Sequence, residues 1–201
     1  NDAPTLANAI ADMSIAEDSV FALTVPANTF ADVDVGDSLS YSASQADGSA
    51  LPSWLSFDAA TRAFSGTPAN ADVGSVSVRV TATDIAGEFV ADTFALTVGN
   101  TNDAPTVANA MGDRLAIQDT AFTFEMPVNT FADVDVGDSL TYIATLADGS
   151  ALPAWLNFNA ATRSFTGTPA NSDVGSNVEV RVTATDESNA SVSDTFLITM
   201  T

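Results

Sequence analysis

Carboxylates supply most of the chemistry open to this chain. Asp32-Val33-Asp34-Val35-Gly36-Asp37 recurs as Asp133-Val134-Asp135-Val136-Gly137-Asp138. In an extended segment, side chains two positions apart point the same way, so Asp32 and Asp34 share a face, as do Asp133 and Asp135. Two carboxylates held together repel unless one takes a proton or both take a cation. The cation that suits them is calcium, which gathers about six to eight oxygens, several of them from carboxylates. Histidine and cysteine are absent. That removes the common zinc, haem and iron–sulfur ligand sets and the Ser-His-Asp and Cys-His nucleophile systems. The loop is not an EF-hand: counting from Asp32, the sixth position is Asp37 rather than glycine and the twelfth is Ala43 rather than glutamate. It is not the Gly-rich calcium nonapeptide of parallel β-helices either. The plainer alternative is a solvated loop whose aspartates only favour the turn.

Other oxygen donors lie near element ends. Val80-Thr81-Ala82-Thr83-Asp84 and Val182 to Asp186 each place an aspartate where an alternating run stops. Asn100-Thr101-Asn102-Asp103-Ala104-Pro105 carries Asn100, Asn102 and Asp103 on a segment stiffened by Pro105. Asn1-Asp2-Ala3-Pro4 is the earlier copy of that motif, and Glu17-Asp18 follows it.

These residues are positioned by a long internal repeat. Asn1-Asp2-Ala3-Pro4-Thr5 recurs at Asn102 to Thr106, and Asn28 to Leu39 recurs at Asn129 to Leu140. The offset is 101 as far as Ser75/Ser176 and 102 thereafter, so Arg79 matches Arg181. A period of this length is a small domain rather than a solenoid unit. The expected division is 1–100 and 101–201. Each copy reads as all-β. Val76 to Thr83, Phe94 to Val98, Phe21 to Val25 and Leu39 to Ala43 alternate with period two, and turn signals such as Asp47-Gly48 and Gly66-Thr67-Pro68 separate such runs. About seven short strands per copy predict two tandem Greek-key β-sandwiches of the Ig/cadherin kind.

Composition limits the partners. The chain has 26 acidic residues, five arginines and no lysine, a formal net charge of −21. Phosphate backbones and anionic membrane surfaces need the opposite sign, so nucleic acid and membrane surfaces are excluded. A hydrophobic share of 46% is too high for a disordered acidic chain. No apolar run approaches the length of a membrane span. Asn1 to Thr5 is not a signal peptide and opens in mid-pattern, so the sequence reads as an excerpt from a longer protein.

As a set, several motifs resemble the cadherin-like β-sandwich repeats, specifically the bacterial and dystroglycan-type cadherin-like family. They are Phe-x-Asp-x-Asp…Asp-x-Leu-x-Tyr, Leu-Pro-x-Trp-Leu-x-Phe…Thr-Arg-x-Phe-x-Gly-Thr-Pro, Thr-Ala-Thr-Asp and Asn-x-Asn-Asp-Ala-Pro. In cadherins, calcium sits at the junction between consecutive domains. The resemblance therefore implies ligands from the linker (Asn100, Asn102, Asp103), from the head of the second copy (Asp133, Asp135, Asp186), and from the base of the first (Glu17 and, by position, Asp72). The head of the first copy keeps Asp2, Asp32, Asp34 and Asp84 as a matching set. The Asp-Arg-Glu base motif of cadherins is missing, and Glu17 becomes Gln118 in the second copy.

The leading functional expectation is a calcium-binding adhesion or spacer module of a larger extracellular protein of bacterial type. Calcium would stiffen the junction, and adjacent repeats would be its structural partners. The alternative is a pair of carbohydrate-binding modules beside a polysaccharide-active enzyme or in an adhesin, with Trp54 and Arg62, and Trp155 and Arg163, meeting the glycan. A Trp in a sandwich also packs the core, so its exposure decides between the two. An enzyme is not expected. Paired carboxylates serve glycoside hydrolysis, but the same Asp set occurs in both copies with no second acid/base group to divide the roles.

Overall fold

A computed structural model describes all 201 residues. It divides into two compact units, Asn1–Thr101 and Asn102–Thr201.

The first unit contains nine strands: β1 (Thr5–Leu6), β2 (Met13–Ala16), β3 (Phe21–Thr24), β4 (Phe30–Ala31), β5 (Ser40–Gln45), β6 (Leu55–Asp58), β7 (Ala63–Gly66), β8 (Gly74–Thr83) and β9 (Phe89–Gly99). Seven of them form the two layers of a sandwich, in the orders β2-β9-β8-β5 and β3-β7-β6. The remaining two, β1 and β4, form a separate short ladder pairing Thr5 with Ala31 and Leu6 with Phe30. All pairings are antiparallel except β2 with β9. The second unit repeats the plan with β10 (Thr106–Val107), β11 (Arg114–Ala116), β12 (Phe122–Glu125), β13 (Phe131–Ala132), β14 (Thr141–Leu146), β15 (Leu156–Asn159), β16 (Ser164–Gly167), β17 (Asn177–Thr185) and β18 (Ser191–Met200). Its layers are β11-β18-β17-β14 and β12-β16-β15. No helix is long and apolar enough to cross a membrane.

The alternating sequence explains the layers. In β8, Val78, Val80 and Ala82 are buried, and the residues between them are more exposed. In β9, Phe94, Leu96 and Val98 are buried. Phe21, Leu55 and Phe64 of the other layer are buried in the same core. Phe64 stands 4.6 Å from Phe57 and 6.0 Å from Phe94, ring centre to ring centre. In the second unit Phe165, Phe196, Val180 and Val182 fill the corresponding positions.

β8 and β9 run the length of the unit. At about 3.3 Å per residue, ten residues span roughly 33 Å. β9 starts beside the Asp84–Gly87 turn and ends at Gly99, whose carbonyl accepts the Glu17 N–H at 3.0 Å. The Asp84 turn and Glu17 therefore mark opposite ends, called here the head and the base.

A conserved-shape turn separates the copies chemically. Asp58 Oδ1 accepts the N–H groups of Ala60 (2.8 Å) and Thr61 (3.3 Å), and Asn159 Oδ1 does the same for Ala161 (3.0 Å) and Thr162 (3.2 Å). The backbone N–H groups of Thr61 and Ala60 hold the Asp58 carboxyl below its usual range. A depressed folded pKa contributes stability above the unfolded value, about 3.9, which is lost as pH falls through the folded value. Relative to Asp58→Asn, the wild-type chain should lose stability on acidification through this range. Asn159 has no such proton to take up. Urea midpoints of the two chains at pH 7 and pH 3 check this, and a pH-independent difference would contradict it.

Candidate metal centre

The Asp-rich loop is a turn, not an extended segment. Asp32 Oδ1 accepts the Asp34 N–H at 2.9 Å, and the Asp37 N–H returns to the Asp34 carbonyl at 3.2 Å. Gly36 sits between them at φ 93°, a left-handed conformation that costs glycine nothing. Asp32 and Asp34 are therefore brought together by this turn and not, as expected from sequence, by the alternation of an extended strand. The turn reverses the chain and brings in a third carboxylate, so Asp32, Asp34 and Asp37 have carboxylate oxygens within 4.8 Å of one another. The second unit uses the same device, with Asp135 N–H on Asp133 Oδ1 at 3.0 Å and Gly137 at φ 98°. There the mutual cluster is Asp133, Asp138 and Asp186. The candidate ligands named from sequence did not include Asp37 and Asp138. The glycine preceding each is the signal that could have found them.

The Asn-Asp-Ala-Pro motif binds onto this loop within each unit. The Asn102 amide donates to Asp186 Oδ2 at 3.0 Å, and the Asp103 N–H donates to Asp135 Oδ2 at 2.8 Å. In the first unit the Asn1 amide meets Asp84 Oδ2 at 3.0 Å, and the Asp2 N–H meets Asp34 Oδ2 at 2.7 Å. Asp84 and Asp186 are each 5% exposed and also cap the β8–β9 and β17–β18 turns, through Glu88 and Ala190 N–H. Each head therefore gathers residues from the motif, the Asp loop and the end of the long hairpin.

The charge at these heads is incompletely compensated. Asp133 Oδ2, Asp135 Oδ1, Asp138 Oδ2 and Asp32 Oδ2 are shielded from solvent and have no hydrogen-bond partner. Burial, reinforced by Glu187, Asp133, Asp135 and Asp186, pushes the Asp138 carboxyl above its usual range. The Asn1 amide has the opposite effect on Asp84, holding its carboxyl down. A buried charge needs a counter-charge. Oxygens within 4.8 Å of one another fit calcium's ~2.3–2.6 Å bonds, since opposed ligands then lie at about twice that distance. The residues present fit the ion.

At the base of the first unit, Glu17 is 2% exposed. Its Oε1 accepts the Thr101 N–H at 2.7 Å, and its shielded Oε2 has no partner. Asp72 lies on the 3-10 turn Asn70–Asp72, and its Oδ2 accepts the Ala69 N–H at 2.9 Å. Asn100 is exposed just beyond β9.

The aromatic candidates pack inward. Trp54 is half-buried against the core, edge-on to Phe21 at 6.4 Å, and Trp155 meets Phe122 in the same way at 6.2 Å. Arg62 lies over the Tyr41 ring at 5.6 Å. Arg163 lines a cavity of about 350 Å³ with Tyr142, Leu140, Thr141, Ala160 and Ala161, and Trp155 is not among its walls.

Fold and loops together define a tandem pair of Ig/cadherin-like β-sandwich repeats. Residues 3–99 and 104–201 each match the family described as "Putative Ig domain" (He_PIG), and the chain belongs to that family. The serine-rich adhesin for platelets of Staphylococcus aureus strain MRSA252 is 31% identical over 146 residues, covering 73% of this chain and 10% of the adhesin. In strain USA300 the same stretch is 6% of the adhesin, so the chain spans a tenth or less of these relatives. Mouse cadherin-23 EC22-24 matches with a TM-score of 0.66 at 16% identity, covering 100% of this chain and 67% of that one. Human mucin-like protocadherin EC1-2 matches at 0.65 and 14%, covering 98% of each chain. These two likenesses concern the fold.

Proposed function

We propose that the chain is a calcium-binding adhesin or spacer segment of a larger extracellular, bacterial surface protein, with calcium stiffening the segment that joins its repeats. The observation that carries this reading is the set of shielded, partnerless carboxylate oxygens at the repeat heads. Such charges are costly to bury unless a cation pairs with them or a proton neutralises them, and a cluster of three or more carboxylates suits a divalent cation. The joining segment is gripped by carboxylates on both sides of one peptide bond. Glu17 holds the Thr101 N–H within the first unit, while Asp186 and Asp135 hold Asn102 and the Asp103 N–H within the second. Metal on Asp133, Asp135 and Asp186 fixes the second grip, and Glu17 Oε2 remains available to the first. Similarity to a staphylococcal adhesin supports the surface role.

Backbone ¹⁵N relaxation tests the mechanical claim. With calcium, the two units should share one rotational correlation time. In chelator they should tumble with shorter, separate ones. Identical correlation times in both conditions would defeat the stiffening mechanism. The glycan-binding alternative is weakened by the inward packing of Trp54 and Trp155. It predicts that Trp54→Phe abolishes glycan retention. The reading preferred here predicts no glycan dependence on Trp54 and only a loss of packing.

A further inference from the structure

The two heads share a sequence pattern but differ in how much charge they leave unmet. At the head of the first repeat, Asp37 Oδ1 accepts the Ser38 N–H at 2.6 Å and the Ile85 N–H at 3.3 Å. Asp32 Oδ2 is the one shielded carboxylate oxygen there without a partner. At the head of the second repeat there are three: Asp133 Oδ2, Asp135 Oδ1 and Asp138 Oδ2. Asp135 is itself only 7% exposed, so its free oxygen faces the protein rather than water. The hairpin turns beside the two loops also differ in sequence, Ile85-Ala86-Gly87-Glu88 against Glu187-Ser188-Asn189-Ala190. Ile85, after the buried Asp84, becomes Glu187 after Asp186. Glu187 Oε1 accepts the Ser139 hydroxyl at 2.8 Å, adding a carboxylate beside Asp138.

Resting on the calcium reading above, we infer that Asp138 is a direct calcium ligand and that, backed by Glu187, it makes the head of the second repeat the tighter of two unequal cation sites. Calcium affinity in oxygen sites rises with the number of charged ligands and with their rigidity. Asp138 joins Asp133 and Asp186 in a set whose oxygens lie within 4.8 Å of one another, and Asp135 adds a buried oxygen from the same turn. In the first repeat a cation drawing on Asp37 competes with two backbone donors already on its Oδ1. Glu187 acts through charge and through Ser139, as a positioning residue.

The test is calorimetric titration of calcium chloride into the full, chelator-stripped chain, with magnesium chloride as the control. The wild type should show two classes of site. Asp138→Asn should weaken the tighter class by about tenfold or more, whereas Asp37→Asn should leave that class unchanged. Melting in chelator separates lost binding from lost folding: Asp138→Asn should melt no lower than wild type, because it removes a repelling charge. If Asp138→Asn leaves the tight class intact while Asp133→Asn abolishes it, the inference fails and the calcium reading stands. If the wild-type chain takes up no calcium, the calcium reading itself fails and the inference with it.

Discussion

Calcium should raise the melting temperature of the chelated chain by roughly 10–20 °C. At a free concentration a hundredfold above the dissociation constant, one site adds about 2.7 kcal/mol. Each kcal/mol shifts the melting point of a domain of 60–100 residues by about 4–8 °C. The head of the second repeat should respond most, since three of its shielded carboxylate oxygens lack partners against one at the first head. Asp135→Asn is the informative variant. It keeps an oxygen for the Asp103 N–H, which Asp135 Oδ2 accepts at 2.8 Å, but removes the charge. It should melt normally or slightly higher in chelator, where repulsion among the carboxylates is relieved, and should lose most of the calcium-induced rise. Differential scanning calorimetry with and without calcium, and with magnesium as control, reads both effects. An unchanged melting point in calcium would return the Asp loops to solvated turns. An equal response to magnesium would point to general charge screening of a −21 chain.

The largest loss of stability should come from a single methyl group. A Cβ added at Gly66 would lie 1.9 Å from the Trp54 carbonyl oxygen, and one at Gly167 the same distance from that of Trp155. The obstacle in each case is backbone, which cannot rotate away like the tip of a side chain. Gly66 is also paired on both sides, with Phe21 of β3 and Leu55 of β6, so the strand has no free edge toward which to shift. Overpacking a core with side-chain freedom costs about 1–3 kcal/mol, and here the cost should exceed about 3 kcal/mol. Gly66→Ala should therefore unfold the first repeat at much lower urea than the second, splitting the transition in two. Gly167→Ala should do the reverse. Tryptophan fluorescence with the other Trp replaced by Phe assigns each transition. A Gly66→Ala chain with the wild-type midpoint would show that this close approach does not exist.

The same close approach explains the role of the Leu-Pro-x-Trp motif. The Trp backbone fits against a glycine while its indole lies edge-on to Phe21 or Phe122. A tryptophan and an arginine close in sequence suggest a sugar platform, but the direction of the indole decides the matter, and only packing sets that direction. Arg62 and Arg163 have left-handed backbone, at φ 57° and 53°. Nothing in the sequence announces that conformation, because local turn geometry imposes it after the Asp58 and Asn159 caps have formed.

Much of the architecture is written directly in the residues. Period-two alternation in Val76 to Thr83 and Phe94 to Val98 marks strands, because successive side chains in a strand face opposite sides and only one side is buried. The long offset repeat fixes two copies of one plan, since two sequences that share their apolar pattern and turn residues bury themselves in the same way. The absence of histidine, cysteine and lysine restricts the chemistry to oxygen ligands. The carboxylates of the heads were legible as a group for the same reason. Which carboxylates meet was decided by the tertiary structure. The turn at Gly36 and Gly137 folds Asp37 and Asp138 back, and the ends of the long hairpins bring in Asp84 and Asp186 from about fifty residues away in the chain. The inequality of the two heads also depends on contact. Ile85 and Glu187 differ by one side chain in sequence, but only the folded loop shows Asp37 already bonded and Asp138 with a shielded oxygen unmatched. Composition can state how much charge a chain carries, whereas the distance between charges, and the water excluded around them, exist only once the strands have packed.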